Sequence, residues 1–352
     1  MEIIGGALLE IRITPADVGK RVSVRSLLPA RDGGAAFTDA VGVLTSWTNG
    51  VLVITRKSGD TVRIAESALV AGKVVPAAPA RRRGPAAGFE ELARAGARAW
   101  QPLESEPLGG WTLRAAAGFT RRANSVLPLG DLGIPLDEAL ARVTAWYAER
   151  GLPAYVQTST GAAGTQEALC AALEERGWVR EVSTEVRIAS LAPIADLTEP
   201  GDVSGAPSGA GTPGTGAPGA GAPGAGAPVL LSRECDEEWL ARYGKVSDPD
   251  VARRVLSAGP SVWFAKVPGK AIGRLVVDGR WAGFGAVEVA PEHRRQGLAT
   301  EVMAALARQA LAEGASAAWL QVETGNGGAR GLYDGMGFVT HHLYHHVRAA
   351  GS

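Results

Sequence analysis

Residues 287–300 read VEVAPEHRRQGLAT, and the order of residue types in this stretch decides how the rest of the chain is read. The β-branched Val287 and Val289, alternating with Glu288, predict a strand that stops at Pro291. A short loop then bears Arg294, Arg295 and Gln296, and a helix opens on Gly297, Leu298, Ala299 and Thr300 and runs to Glu313. The first turn of a helix presents N–H groups with no intrahelical partner and a partial positive charge, so it is ready to receive an anion. Gly297 and Ala299 leave those amides unshielded, and Arg294 and Arg295 add charge that suits a diphosphate. A phosphate-bearing ligand is expected; the plainer alternative is a strand-to-helix turn with two exposed arginines.

Working outward, one order of elements occurs twice. In residues 283–348 a strand (FGAVEVAP) leads through the loop to a helix (LATEVMAALARQALAEG), a strand (SAAWLQVET), a helix (GGARGLYDGMGF) and a strand (VTHHLYHHVR). Residues 118–190 repeat it as TRRANSVLPL, LDEALARVTAWYAERG, LPAYVQTST, TQEALCAALEERGW and VREVSTEVRI. Gly151 matches Gly314, Gln157 matches Gln321, and Gly177-Trp178 matches Gly337-Phe338, as an internal duplication requires. In the second half the strands SVWFAK, AIGRLVVD and WAGFGAVEVA, joined by tight turns, add antiparallel pairing. The fold class is therefore α+β, two mixed sheets with flanking helices.

Arg294-Arg295-Gln296-Gly297-Leu298-Ala299 resembles the acyl-CoA-binding motif of the GNAT acetyltransferase superfamily, Arg/Gln-x-x-Gly-x-Gly/Ala. Downstream, Leu320-Gln321-Val322-Glu323, then Asn326, Ala329 and Leu332-Tyr333, then Gly337-Phe338, resemble that superfamily's second signature. The chain as a whole resembles actinobacterial multidomain GNAT proteins with a Src-homology-3-like barrel and a degenerate first half. The resemblance implies direct acetyl transfer from acetyl-CoA to an amine. Val287 and Val289 would offer backbone groups to the pantetheine arm, residues 294–300 would hold the diphosphate, and Asn326 and Ala329 would line the far side of the channel. Tyr333 would be the general acid that protonates the departing thiolate. An alkyl ammonium must lose a proton before it attacks, and Glu288 and Glu323 are the candidate bases, each equally readable as a solvated strand residue. The first half has GDLGIP in place of EHRRQG and Leu173 in place of Tyr333, so it is expected not to bind acyl-CoA.

Before the duplication, the runs LLEIRIT, KRVSVRSL, AVGVLTSW, GVLVITR and DTVRIA predict five short strands, with Asn49-Gly50 as a hairpin turn. These observations divide the chain into a small β-barrel (1–76), a linker (77–88), a degenerate GNAT-like half (89–196), a Gly/Ala/Pro linker (197–228) and an acetyltransferase domain (229–352). The second linker carries almost no side chain able to enter a core, and as a flexible coil it would span roughly 30 Å.

The 36 basic residues equal the 36 acidic ones, which argues against a general nucleic-acid binder. Glu2 stands where a secretory signal carries positive charge, and no run is long and apolar enough to span a bilayer, so a cytoplasmic location without membrane attachment is expected. Two cysteines, Cys170 and Cys235, support neither a disulfide framework nor a metal site. On a strand, only His341 with His345 and His342 with His346 share a face, and with no acidic or Cys ligand beside them no metal is expected. The resulting expectation is an acetyl-CoA-dependent N-acetyltransferase acting on a primary amine of a small molecule, peptide or protein. The alternative is a non-catalytic acyl-CoA sensor or scaffold.

Overall fold

The computed structural model describes residues 11–28, 36–75, 85–198 and 228–350. Most of the two expected linkers, residues 77–84 and 199–227, lies outside the described residues.

Strands β1 (Arg21–Leu28), β2 (Ala36–Thr48), β3 (Val51–Thr55), β4 (Thr61–Ala65) and β5 (Leu69–Val74) form an antiparallel sheet in the order β4-β3-β2-β1-β5. The long β2 serves two partners in succession. Ala36 to Val43 pair with β1, Val43 to Thr48 pair with β3, and a register shift falls between Leu44 and Ser46. Such a bulge bends the strand, and the sheet encloses Val22, Val24, Leu44, Leu52, Ile54 and Ile64. The Asn49-Gly50 turn has positive φ at both residues, 53° and 73°, as a type I′ hairpin requires. One expectation is corrected. The run LLEIRIT is not the first strand: residues 8–10 lie outside the described residues, and Ile11 makes only an isolated bridge to Gly72. The chain then turns through a 3-10 turn at Pro15–Asp17, where the Asp17 carboxylate accepts from the Thr14 N–H. The fifth strand is β5 instead.

The chain divides into two compact units, Met1–Ala189 with Leu320–Ser352, and Ser190–Trp319. The first contains the barrel and then α1 (Phe89–Ala99), β6 (Glu104–Leu108), β7 (Trp111–Ala115), β8 (Leu127–Pro128), α2 (Leu136–Ala148), β9 (Tyr155–Thr160), α3 (Glu167–Glu175) and β10 (Val179–Ser190). The predicted strand over 120–129 survives only as the two residues of β8, preceded by a 3-10 turn at Arg121–Ala123. Asn124 explains the loss. Its side-chain oxygen accepts from the N–H of Ala116 and of Gly118, and its amide donates to the carbonyls of Phe119 and Thr120. One side chain thus satisfies the backbone that a ladder would otherwise pair.

The second unit contains α4 (Ala192–Ala195), β11 (Leu230–Ser232), α5 (Glu237–Tyr243), α6 (Pro249–Ser257), β12 (Ser261–Val267), β13 (Ala271–Asp278), β14 (Trp281–Val289) and α7 (Leu298–Ala312). Its strands run antiparallel in the order β11-β12-β13-β14. Helix α7 buries Val302, Met303 and Leu306, and Gly273 lets it approach closely, because a Cβ there would lie 2.5 Å from the Val302 Cγ1.

The chain re-enters the first unit along β15 (Ala317–Glu323), followed by α8 (Gly327–Gly335) and β16 (Val339–Arg348). In this unit the strand order is β15-β10-β16-β9. The last strand of the first sequence half therefore lies between two strands of the second, paired with β16 from Val179↔Arg348 to Ile188↔Val339. The compact units cut across the sequence halves.

Candidate functional site

In the second unit, β14 carries a bulge just before the residues expected to meet the pantetheine arm. Ile272 pairs with Glu288 but Arg274 pairs with Gly285, and Ala286 takes a positive φ of 51°. Val287 lies on the α7 side, its Cγ2 3.8 Å from where a Gly273 Cβ would be. Glu288 is engaged by Lys245, whose Nζ stands 3.1 Å from its Oε1 in a surface ion pair.

Past Val289 and Ala290 the chain makes a 3-10 turn at Pro291–His293 and enters α7 through a tight, exposed loop. Two of its residues, Arg295 at φ 63° and Gly297 at φ 84°, are left-handed. A left-handed residue costs a non-glycine side chain about 1–2 kcal/mol, so Arg295 holds its place against intrinsic preference. Arg294 donates through Nε to the Val289 carbonyl at 3.5 Å, and Gln296 through Nε2 to the Glu292 carbonyl at 3.3 Å. Gly297 is the N-cap, and no side chain caps the helix. Nothing lies within 4 Å of where its Cβ would stand. The amides at Leu298, Ala299 and Thr300 thus head a long helix whose entrance is open, a donor set that fits a diphosphate.

The remaining predicted residues sit in the first unit. Glu323 is exposed at the end of β15, and its carbonyl accepts from the Asn326 N–H at 2.9 Å. Asn326 caps α8, its Oδ1 accepting from the Ala329 N–H at 3.1 Å. Tyr333 is half-buried on α8 and meets the ring of Phe338 edge-on, centroids 5.8 Å apart. What holds α8 is a residue the sequence reading passed over. Arg187 of β10, 5% exposed, donates from Nη1 to the Arg330 carbonyl and from Nη2 to the Phe338 carbonyl, each at 3.1 Å, and also bonds the Asp334 carboxylate. Glu185, from the same strand, binds Arg330 at 2.8 Å and accepts from the Thr340 hydroxyl. An arginine in VREVSTEVRI reads as a solvated strand residue, and only its partners on α8 give it another role.

In the first half the corresponding positions are α2 and α3, and α2 also begins without a side-chain cap. The loop before α2 is packed against the β6–β7 turn, where the Gly110 N–H donates to the Asp131 carbonyl and a Cβ on Gly109 would lie 2.0 Å from the Leu132 oxygen. Leu173 is fully buried in the core with Val143 and Tyr147. Among the histidines of β16, His345 bonds the hydroxyls of Thr160 and Ser183, His341 bonds the Ala87 carbonyl and the His342 ring, and both ring nitrogens of His346 are buried without a hydrogen-bond partner. Burial drives His342 and His345 down to about 3, so both are neutral. Among the described residues no helix is long and apolar enough to cross a membrane.

A family model described as probable histone acetyltransferase Rv0428c C-terminal matches residues 87–203 and 218–347. The chain belongs to this acetyltransferase family. Residues 16–73 match a second model, the Rv0428c N-terminal Sm-like domain, which corresponds to the five-stranded barrel. The probable histone acetyltransferase Rv0428c of Mycobacterium tuberculosis is 28% identical over 331 residues, covering 92% of this chain and 93% of that protein. A GCN5-related N-acetyltransferase from Kribbella flavida has a similar fold, with a TM-score of 0.52 at 18% identity over 76% of this chain and 98% of its own. The fold class is thus the α+β fold of GNAT acetyltransferases, preceded by a small barrel.

Proposed function

We propose that this family member is an acetyl-CoA-dependent N-acetyltransferase that moves the acetyl group directly to a primary amine of a small molecule, peptide or protein. The observation that carries the reading is the α7 entrance, a long helix with no side-chain cap, reached through left-handed Arg295 and Gly297. A side-chain cap would occupy the amides a diphosphate needs. Arg294, Arg295 and Gln296 flank that site, and the bulge at Ala286 takes the Val287 backbone out of regular pairing with β13, where a pantetheine amide would meet it, while Val289 is again paired with Ala271.

In the transfer itself, the amine nitrogen attacks the thioester carbonyl, the C–N bond forms and the C–S bond breaks. The ammonium proton goes to a base and the sulfur receives one from an acid. Tyr333 is the acid in this reading. Of the two carboxylates, the ion pair of Glu288 with Lys245 favours a structural role for Glu288, and the exposed Glu323 is the better base. The mycobacterial relative is named for acetylating histone; the reading for this chain extends to primary amines as a class.

Calorimetric titration of acetyl-CoA into the full-length protein, followed by thiol-release assays against a panel of primary amines, tests this. One-site binding with amine-dependent thiol release is expected. Absence of binding refutes the α7 site, and binding without turnover on any amine refutes the enzyme.

A further inference from the structure

A cavity lies in the first unit. Residues of α1 and of the β15-β10-β16-β9 sheet together line this narrow cavity. Arg114 and Arg122 line it together with Gln157, Gln321, Tyr344 and His342, and none of the described residues lining it is Asp or Glu.

Arg114 is 3% exposed. Its hydrogen bonds go to neutral acceptors, from Nε to the Ser125 carbonyl at 2.8 Å and from Nη2 to the Ser125 hydroxyl and Gln157 Oε1 at 2.9 and 3.0 Å. Those bonds engage three of its five N–H protons and bring no counter-charge, which is costly in a dry interior. Desolvation pulls its pKa down to about 10, and the neighbouring Arg122 pushes the same way. Arg122 is stacked over Trp100, its guanidinium carbon 4.9 Å from the ring centroid, and donates from Nη2 to the Tyr344 hydroxyl at 3.4 Å. Its Nε is buried with no hydrogen-bond partner. The neutral amides point the same way. Gln157 spends its oxygen on Arg114, and Gln321 accepts from Tyr344, so each leaves an NH₂ to donate. His342 is held neutral by burial and so adds no further positive charge.

We propose that this cavity binds a small carboxylate, seated between Arg114 and Arg122 with the Gln157 and Gln321 amides as further donors. The planar guanidinium fork matches the two oxygens of a carboxylate, and the narrow cavity excludes bulkier anions such as a phosphorylated metabolite. The inference does not depend on acetyl transfer, because its readout is anion binding.

The test uses the full-length protein with acetate as probe and chloride at equal ionic strength as control. Melting temperature is followed against concentration, alongside line broadening of ¹³C-labelled acetate. A saturable rise with acetate and none with chloride is expected, with the acetate dissociation constant at least tenfold weaker in Arg122→Gln and in Arg114→Met. Arg122→Gln alters a side chain that is only half-buried, so it carries the test should Arg114→Met fail to fold. No saturable acetate effect, an equal effect in a folded variant, or equal saturation by chloride overturns the proposal.

Discussion

Replacing Arg187 by methionine removes the strap between β10 and α8 while keeping most of the side-chain volume. Two charged donors to main-chain carbonyls, at Arg330 and Phe338, are lost, each worth about 1.5 kcal/mol. The bond to Asp334 adds little, since that carboxylate is 65% exposed. Glu185, buried with its Oε2 3.6 Å from the Arg187 Nε, loses that contact but keeps Arg330 and Thr340, so no uncompensated buried charge is created. The expected loss is therefore about 3 kcal/mol, which lowers amide-exchange protection in residues 327–338 by about 100-fold. Hydrogen exchange read by mass spectrometry gives the local effect, and urea unfolding followed by tryptophan fluorescence gives the global one. Because α8 carries Tyr333, the turnover of acetyl transfer falls in the same variant. Arg187→Lys does not rescue it, since one ammonium cannot span three acceptors fixed by a planar fork. Unchanged exchange in residues 327–338, with a stability loss under about 1 kcal/mol, refutes the argument that Arg187 holds this helix.

Gly297→Glu places bulk and negative charge at the open α7 entrance and abolishes acetyl-CoA binding by calorimetry, whereas retained affinity moves the diphosphate elsewhere. Tyr333→Phe lowers kcat by at least tenfold with little change in acetyl-CoA affinity, and an unaffected rate assigns the proton to another group. Glu323→Gln lowers kcat by at least tenfold and Glu288→Gln does not; the reverse result exchanges their roles. Acid sensitivity follows from the buried neutral histidines. His342 and His345 stand near 3 in the folded chain against about 6.5 unfolded, so the unfolded state binds more protons between those values. Stability is therefore full above pH 6.5 and falls as the pH drops toward 3, by up to about 1.4 kcal/mol per pH unit for each histidine. Urea midpoints measured from pH 7 to pH 4 check the slope, and His345→Gln reduces it.

The order of elements, the α7 loop and the second signature were legible in the sequence because each is local. Chain-adjacent residues decide whether a strand stops at Pro291, whether Gly297 can turn left-handed, and whether Asn326 can cap the helix that follows. Local reading failed where a side chain or a strand found a distant partner. The run at residues 8–14 has strand composition, but β1 pairs with Leu69–Val74, and no pattern within one segment says which of two apolar runs a neighbouring strand will choose. Residues 120–129 read as a strand until the Asn124 side chain takes over the backbone bonds of the loop it closes.

Two decisions belong to the tertiary structure alone. One is the place of β10, a strand of the first half that lies between β15 and β16 and brings Arg187 to the helix bearing Tyr333. The other is the placing of buried Arg114 and half-buried Arg122 beside one cavity whose described lining residues include no Asp or Glu. The physical reason is the same for both. The worth of a charged side chain is set by its dielectric surroundings and counter-charges, and these come from residues far away in the chain, whereas backbone geometry and helix capping are set by residues a few positions apart.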